Sequence, residues 1–399
     1  MTAKAAVLQK GIDSKSLPTS AEMIERARDL SKLLAAQAGE AEKLRRPTDE
    51  VIQALKDAEI FKLMAPKKYG GFEMDLDTFF EVGLALSEGD ASMAWVANFY
   101  IEHVWIFCLF PEQFQDELFA DNSYALAPAM LSPTGQVTNE EGGFRLNGRW
   151  SWSTGIMHAD WVLPAAIVTG EDGKRAPVFF ALPRSEVEVE DVWFVDGMQG
   201  TGSNDVLIKD KFIPEHRMLS FKAMIEGEAP GAKVHPSPVY KTPMLPTLGL
   251  AAAMPALGQA RACVRMFQER LHDRMEIHGT RRVGTASKMR LAHAEVRVDQ
   301  IYLLLRNLVE DVMELRENAT RLDRTRWATQ LAFAVDQCKS VIAYVCEAAG
   351  ASGHFQSSPL GRAARDINTV GAHIVFDLDA RLELHGAAML GEEIPGILV

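Results

Sequence analysis

Cysteine is scarce in this chain: Cys108, Cys263, Cys338 and Cys346 are scattered over 399 residues, with no Cys-x-x-Cys and no Cys/His metal spacing. A disulfide scaffold and a structural zinc site are excluded, and the pattern suits a reducing cytoplasm. No apolar run is long enough to span a bilayer, and the segment after Met1 lacks the sustained apolar core of a signal peptide. Positive charge is also short. The 42 Lys and Arg against 54 Asp and Glu give a net charge of −12, so neither nucleic acid nor an anionic membrane is an expected partner. No G-x-G-x-x-G joins a strand to a helix, and Gly200-Thr-Gly-Ser-Asn-Asp205 sits at the wrong kind of turn for one. There is no P-loop, no HExxH and no nucleophile elbow. What is present is ordinary globular composition, 47% hydrophobic and 24% charged, with length for two or three domains.

Residues 1–19 read as a loose polar tail. From Ser20, which opens like an N-cap, Ile24, Ala27, Leu30, Leu33 and Leu34 recur at helical spacing. Helices follow at Thr48–Ala58, Leu76–Glu88 and Ala91–Leu109, with Pro66-Lys-Lys-Tyr-Gly-Gly71 as a connection. The period then changes. Strand-length runs occupy Tyr124–Met130, Gly143–Ser153, Trp161–Val168, Ala176–Leu182, Val187–Phe194 and Asp205–Phe212, with turn signals between them. Consecutive strands without helices predict an antiparallel barrel or sandwich. The helical period returns in Leu248–Met275, Thr285–Leu315, Arg321–Ala349 and Ala363–Leu390, four arms of a bundle. The expected class is α+β: a helical domain at 1–122, an antiparallel β-domain at 123–235 and a four-helix bundle at 236–399.

Asn147-Gly-Arg-Trp-Ser-Trp-Ser-Thr-Gly155 carries the strongest chemical signal. Phe144, Leu146, Trp150 and Trp152 alternate with Arg145, Arg149, Ser151 and Ser153, as on a half-buried strand. Its end turns small and hydroxylic at Ser153, Thr154 and Gly155. Such a strand can lay a flat heteroaromatic ring against an indole while hydroxyls meet its polar edge. A Trp-rich core strand entering a turn is the competing reading.

Four stretches in order resemble the acyl-CoA dehydrogenase superfamily over nearly the whole chain, and within it the flavin-dependent monooxygenases. These are Phe61-Lys-Leu-Met-Ala-Pro-Lys-Lys-Tyr-Gly-Gly71, the Trp-Ser-Trp-Ser strand, Gly197-Met-Gln-Gly-Thr-Gly-Ser-Asn-Asp-Val206, and Gly350-Ala-Ser-Gly353 followed by Arg365-Asp366. The dehydrogenases use a glutamate base. One family position for it reads Gly371-Ala-His-Ile-Val-Phe376 here, and the other, within Tyr240–Cys263, contains no Asp or Glu. The departure points away from thioester dehydrogenation and toward oxygenation.

The resemblance implies reduced FMN or FAD with O2, reacting through a C4a-(hydro)peroxide kept dry, on a small aromatic, phenolic substrate. Oxidation at sulfur or nitrogen is the runner-up, and acyl-CoA dehydrogenation a third reading. With no dinucleotide fold, a separate reductase partner supplies the flavin, and a homotetramer is implied. Ser153 or Thr154 meets flavin N5, Trp152 packs along the ring, and Tyr124, Pro128 and Ser132 approach from the other side. The phosphate falls to the basic group Arg274, Arg281, Arg282, Lys288 and Arg290, with Arg274 and Arg282 favoured. Gly350, Ser352 and Gly353 reach flavin across a subunit interface. His103, on an otherwise apolar helix, and His373 are the candidate bases. Thr369 and Asp377 are expected one turn either side of His373 on a single helical face, and His158 is expected on a solvent-facing loop.

Overall fold

The computed structural model describes residues 17–170, 173–278 and 283–393, and the side chains of all these but 273–278. The chain opens with α1 (Ser20–Leu44), α2 (Asp49–Asp57), α3 (Leu76–Ser87) and α4 (Ala91–Phe107), where apolar spacing predicts helices, followed by α5 (Glu112–Leu118). The cap of α1 is Thr19 rather than Ser20. Its hydroxyl accepts from Glu22 N (3.2 Å) while the Glu22 carboxylate accepts from Thr19 N (2.7 Å), a reciprocal box. Asp90 caps α4 through Met93 N at 2.9 Å. Every residue of α4 but Phe99 is buried, because the helix packs between α3, the bundle and the central sheet's connecting turn.

The sheet comprises β1 (Ala129–Glu140), β2 (Gly143–Ser153), β3 (Trp161–Thr169), β4 (Arg175–Phe180), β5 (Leu182–Pro183), β6 (Glu188–Glu190), β7 (Asn204–Pro214) and β8 (Met218–Ser220). Their order is β6-β7-β2-β1-β3-β4-β8, with β5 beside β3. The expected all-antiparallel arrangement is corrected to a mixed one, since β1 and β3 run parallel. The chain reverses at the β1–β2 hairpin and again before β3, so two reversals leave β3 pointing along β1 on its other edge. Met130, Leu146, Trp150, Val162, Phe180, Val206 and Ile208 form a core separate from the helical one.

After α6 (Phe221–Glu226) and α7 (Pro230–Val234) come α8 (Met244–His278), α9 (Thr285–Leu315) and α10 (Arg321–Ala349), close to their predicted limits. The expected fourth arm, Ala363–Leu390, is instead two helices. These are α11 (Pro359–Val370) and α12 (Leu378–Met389), with a single 3-10 turn at Ile374–Phe376 between them. Local capping breaks the helix. His373 Nδ1 accepts from Val375 N (3.3 Å), and the Asp377 carboxylate accepts from Ala380 N (3.1 Å). Thr369 and Asp377 therefore do not flank His373 on one face. Among the described residues no helix is long and apolar enough to cross a membrane, and no cluster of metal-ligating side chains occurs.

Candidate active site at the end of the second strand

The alternation of β2 holds only as far as Trp150, which is fully buried and donates Nε1–H to Ala165 O at 2.7 Å. Between Trp150 and Ser153 the pairing with β7 slips register. Parity then inverts, because side chains alternate faces with a period of two. Trp152, expected on the buried side, is 64% exposed, with Trp193 6.3 Å away, and Ser153, expected on the polar side, is fully buried. Ser153 Oγ has no hydrogen-bond partner among the described residues. A buried hydroxyl left unpaired is costly, so its presence points to a ligand that satisfies it.

Thr154 is placed differently. Its Oγ lies 3.0 Å from Ser203 Oγ, which lies 2.8 Å from Thr201 Oγ, which donates to Met198 O at 2.9 Å. A carbonyl only accepts, so the hydroxyl hydrogens run one way along this chain and that of Thr154 is spent on Ser203. Gly155 is pinned from two sides: its N–H donates to Thr201 O at 3.0 Å, and its carbonyl accepts from Tyr100 OH of α4. With φ of +75° and a Cβ that would lie 2.6 Å from that phenol oxygen, only glycine fits. Gly155→Ala is expected to cost about 1–3 kcal/mol of stability, read as a fall in the urea midpoint.

The connecting turn is fixed by the bundle. Asp366 accepts from Met198 N at 2.6 Å, Arg365 donates to Asp196 O at 3.2 Å, and a Cβ on Gly197 would lie 2.2 Å from Arg365 O. Arg365 and Arg362 also pair with Glu42 of α1. Asp366 and Asp90 face the same gap, and burial followed by mutual repulsion raises the carboxyl of Asp366 above its ordinary range. Within its own chain the Arg365-Asp366 pair thus holds the turn that supports Thr154.

On the other side of Tyr100, Trp95, Phe99 and His103 project from one face of α4 at four-residue spacing. Their rings are continuous: Trp95 to Phe99 is 4.6 Å and Phe99 to His103 is 5.4 Å between centroids. His373 extends the row, edge-on to Trp95 at 5.9 Å. The structure therefore joins the two candidate histidines through an aromatic wall. His103 is buried and donates Nδ1–H to Ala127 O at 2.6 Å, which leaves Nε2 as the basic nitrogen. Burial pushes its pKa down to about 4 against that hydrogen bond, and burial lowers His373 too.

Ala127 belongs to the segment carrying two further candidates. Tyr124 is half-buried with its ring 5.6 Å from Phe61, which in turn lies 5.7 Å from Tyr100, and Pro128 is buried. Ser132 is exposed within β1 rather than on a loop. His158 is corrected: its side chain is 12% exposed, held by Asp49 at 2.8 Å and Arg46 at 2.9 Å, which anchor the loop after β2 to the start of α2. Arg281 and Arg282 lie outside the described residues, as does the side chain of Arg274. Arg290 pairs with Glu347 at 3.4 Å. Gly350 and Ser352 are exposed beyond α10 and Gly353 is buried there, with Ser352 bound by Arg270 of α8. Sequence patterning singles out neither the Trp95–Phe99 stripe, though its spacing is visible, nor Glu102, a buried acid beside His103.

These groups fit a reduced flavin. The orphaned Ser153 hydroxyl suits the polar edge of an isoalloxazine, and the exposed Trp152 indole suits its face. Glu102 is fully buried, and desolvation raises its carboxyl above the ordinary carboxylate range.

The model of the family described as "Acyl-CoA dehydrogenase, C-terminal domain" matches residues 250–378. The chain is 33% identical over 371 residues to a pigment production hydroxylase of Rhodococcus sp., covering 92% of this chain and 96% of the relative. It is 31% identical over 377 residues to the oxygenase component of p-hydroxyphenylacetate 3-hydroxylase of Acinetobacter baumannii, covering 93% and 89%. Among solved structures, XiaF from Streptomyces sp., in complex with FADH2 and glycerol, superposes with a TM-score of 0.85 at 25% identity, covering 94% of this chain and 97% of that one. On both sequence and fold, the chain belongs to the oxygenase components of flavin-dependent monooxygenases, built on the acyl-CoA dehydrogenase architecture.

Proposed function

We propose that the protein hydroxylates a small phenolic molecule, using O2 and reduced FAD delivered by a separate reductase. The observation that carries this reading is His103, neutral and buried, at the end of the Trp95–Phe99 wall with its basic nitrogen free of the backbone. The FADH2 held by the Streptomyces relative supports the dinucleotide over the mononucleotide. Bound flavin would supply oxygen activation; the remaining work falls to this chain's residues. Ser153 would hold the polar edge of the flavin and Trp152 would cover its face. Thr154, Ser203 and Thr201 hold the strand end in place. His103 takes the phenolic proton, which makes the ring carbon beside the oxygen electron-rich. His373 and the aromatic row exclude water from the reacting face.

Basic residues around Arg274 and Arg282 meet the phosphates, and Gly350, Ser352 and Gly353 complete the site of a second copy. Exposed Val296, Leu303 and Phe333 on the bundle, with Leu382 and Met389 on α12, support assembly of several copies as a homotetramer, which light scattering reads directly.

Supplying reduced FAD to the protein with a matched set of substrates tests the reaction. A phenol is expected to be hydroxylated at least about tenfold faster than its O-methyl ether, since only the phenol has a proton for His103 to remove. Equal turnover of ether and phenol would remove the deprotonation by His103 from this reading, and preference for a thioether or amine would place the chemistry at sulfur or nitrogen instead.

A further inference from the structure

Met198 lies in the connection between β6 and β7 with φ of +58°. A residue with a side chain adopts that left-handed conformation only where its surroundings hold it. Its N–H and its carbonyl are both committed. The N–H donates to Asp366 Oδ1 of α11 at 2.6 Å. The carbonyl accepts the N–H and the hydroxyl of Thr201, at 3.2 and 2.9 Å, and also the Nε1–H of Trp193 at 2.9 Å. One branch from this carbonyl is the hydroxyl chain that ends at Thr154. The other is Trp193, whose ring lies 6.3 Å from that of Trp152, the exposed indole that suits the flavin face. Trp193 is also tied through its backbone. Its N–H donates to the Asn204 side chain at 3.1 Å, and its carbonyl accepts from Arg45 of α1 at 3.3 Å. Trp152 is largely in solvent and has no core around its ring, so the indole of Trp193 is what it packs beside.

We propose that Asp366 is a positioning residue for the flavin-facing indole, acting through Met198. Its oxygen fixes the residue from which Trp193 and Thr201 both hang, and so sets Trp152 and the strand end together from the bundle. This rests on the reading of Trp152 and Ser153 as flavin contacts. Asp366 is buried, and the charged groups that face it are Asp90 at the start of α4, Glu42 of α1 and Arg362 of its own helix, which pairs with Glu42 at 3.1 Å. Ionised or neutral, an aspartyl group presents an oxygen that accepts from Met198 N, and so does the carbonyl of an asparagine. An alanine presents none and leaves a buried N–H unpaired. The acceptor oxygen, and not the charge, is therefore what the position requires.

Asp366→Ala and Asp366→Asn, with Trp193→Phe and Trp152→Ala as references, test the proposal in the full chain by two readouts. The first needs no flavin. Two indoles this close couple their ultraviolet transitions and give a paired circular-dichroism band, which either tryptophan variant identifies by abolishing it. Asp366→Ala is expected to keep its helical signal and lose at least about half of the paired band, and Asp366→Asn to keep both. The second readout is product per O2 with reduced FAD and a phenol. It is expected to fall about tenfold in Asp366→Ala and to stay within about twofold of wild type in Asp366→Asn. Asp366→Ser, whose oxygen is one bond short of reaching Met198 N, replaces the alanine variant if that one does not fold. A wild-type paired band and wild-type product per O2 in Asp366→Ala, whatever its thermal midpoint, would make the residue structural and overturn the proposal. Loss of both that Asp366→Asn fails to restore would overturn the bond to Met198 as the route. Unchanged product per O2 in Trp152→Ala would instead take flavin away from that indole, the reading on which the proposal depends.

Discussion

Replacing His103 with alanine is expected to lower the hydroxylation rate by about 10²–10⁴, the range that a well-placed general base contributes. Reduced flavin should still be oxidised by O2 in that variant, with hydrogen peroxide as the product. The ring wall of Trp95 and Phe99 remains, so substrate affinity is expected to change far less than the rate. The pH dependence follows from burial. His103 titrates at about 4, below its ordinary 6.5, so the base is already deprotonated throughout the neutral range. The wild-type hydroxylation rate should show no inflection near pH 6.5 from this group. The linked stability has a definite sign. Because the folded value is depressed, stability is intact above pH 6.5 and is lost as pH falls from there toward 4, where the unfolded chain takes up a proton that the folded one refuses. Stopped-flow rates for wild type and His103→Ala between pH 6 and 8, with denaturant midpoints of both between pH 4 and 8, check the two statements.

Ser153→Ala is expected to divert O2 consumption from hydroxylated product to hydrogen peroxide, with product per O2 falling about tenfold to a hundredfold. The protein itself should be no less stable, because the lost hydroxyl has no partner among the described residues and its removal leaves none behind. Thr154→Ala breaks a hydroxyl chain that ends at Met198 O and should uncouple less while costing about 1 kcal/mol of stability. A larger uncoupling in the Thr154 variant than in the Ser153 variant would reverse their assignment. Peroxide and product assayed on the same samples decide between them.

Much of this architecture is legible in the sequence because periodicity and caps are local. Helices α1 to α4 and α8 to α10 follow apolar spacing, and the strands follow runs bounded by turn residues. The failures are where a few residues compete with the pattern. Alternation places Trp152 inward, but a register slip opposite β7 inverts it, and nothing in residues 150–153 marks that slip. Spacing continues a helix through Ala363–Leu390, but His373 and Asp377 cap backbone N–H groups there and split it. The parallel pairing of β1 with β3 depends on how the chain returns after β2, which strand propensity does not encode.

At the site, residue types point to hydroxyls, indoles and imidazoles, and the fold brings His103 and His373 to one aromatic row. The choice between Ser153 and Thr154 comes only from where the hydrogen bonds of Thr201 and Ser203 lead. Glu102 escapes notice because a single acid in an apolar helix has no pattern.

Labelled oxygen tests the central claim most directly. The protein, mixed with chemically reduced FAD, a phenolic substrate and 18O2, is expected to yield a product carrying one 18O atom in a new hydroxyl, and the Ser153→Ala variant chiefly labelled hydrogen peroxide. Product without the label, or flavin reduction by an acyl thioester in place of product formation, would contradict the account.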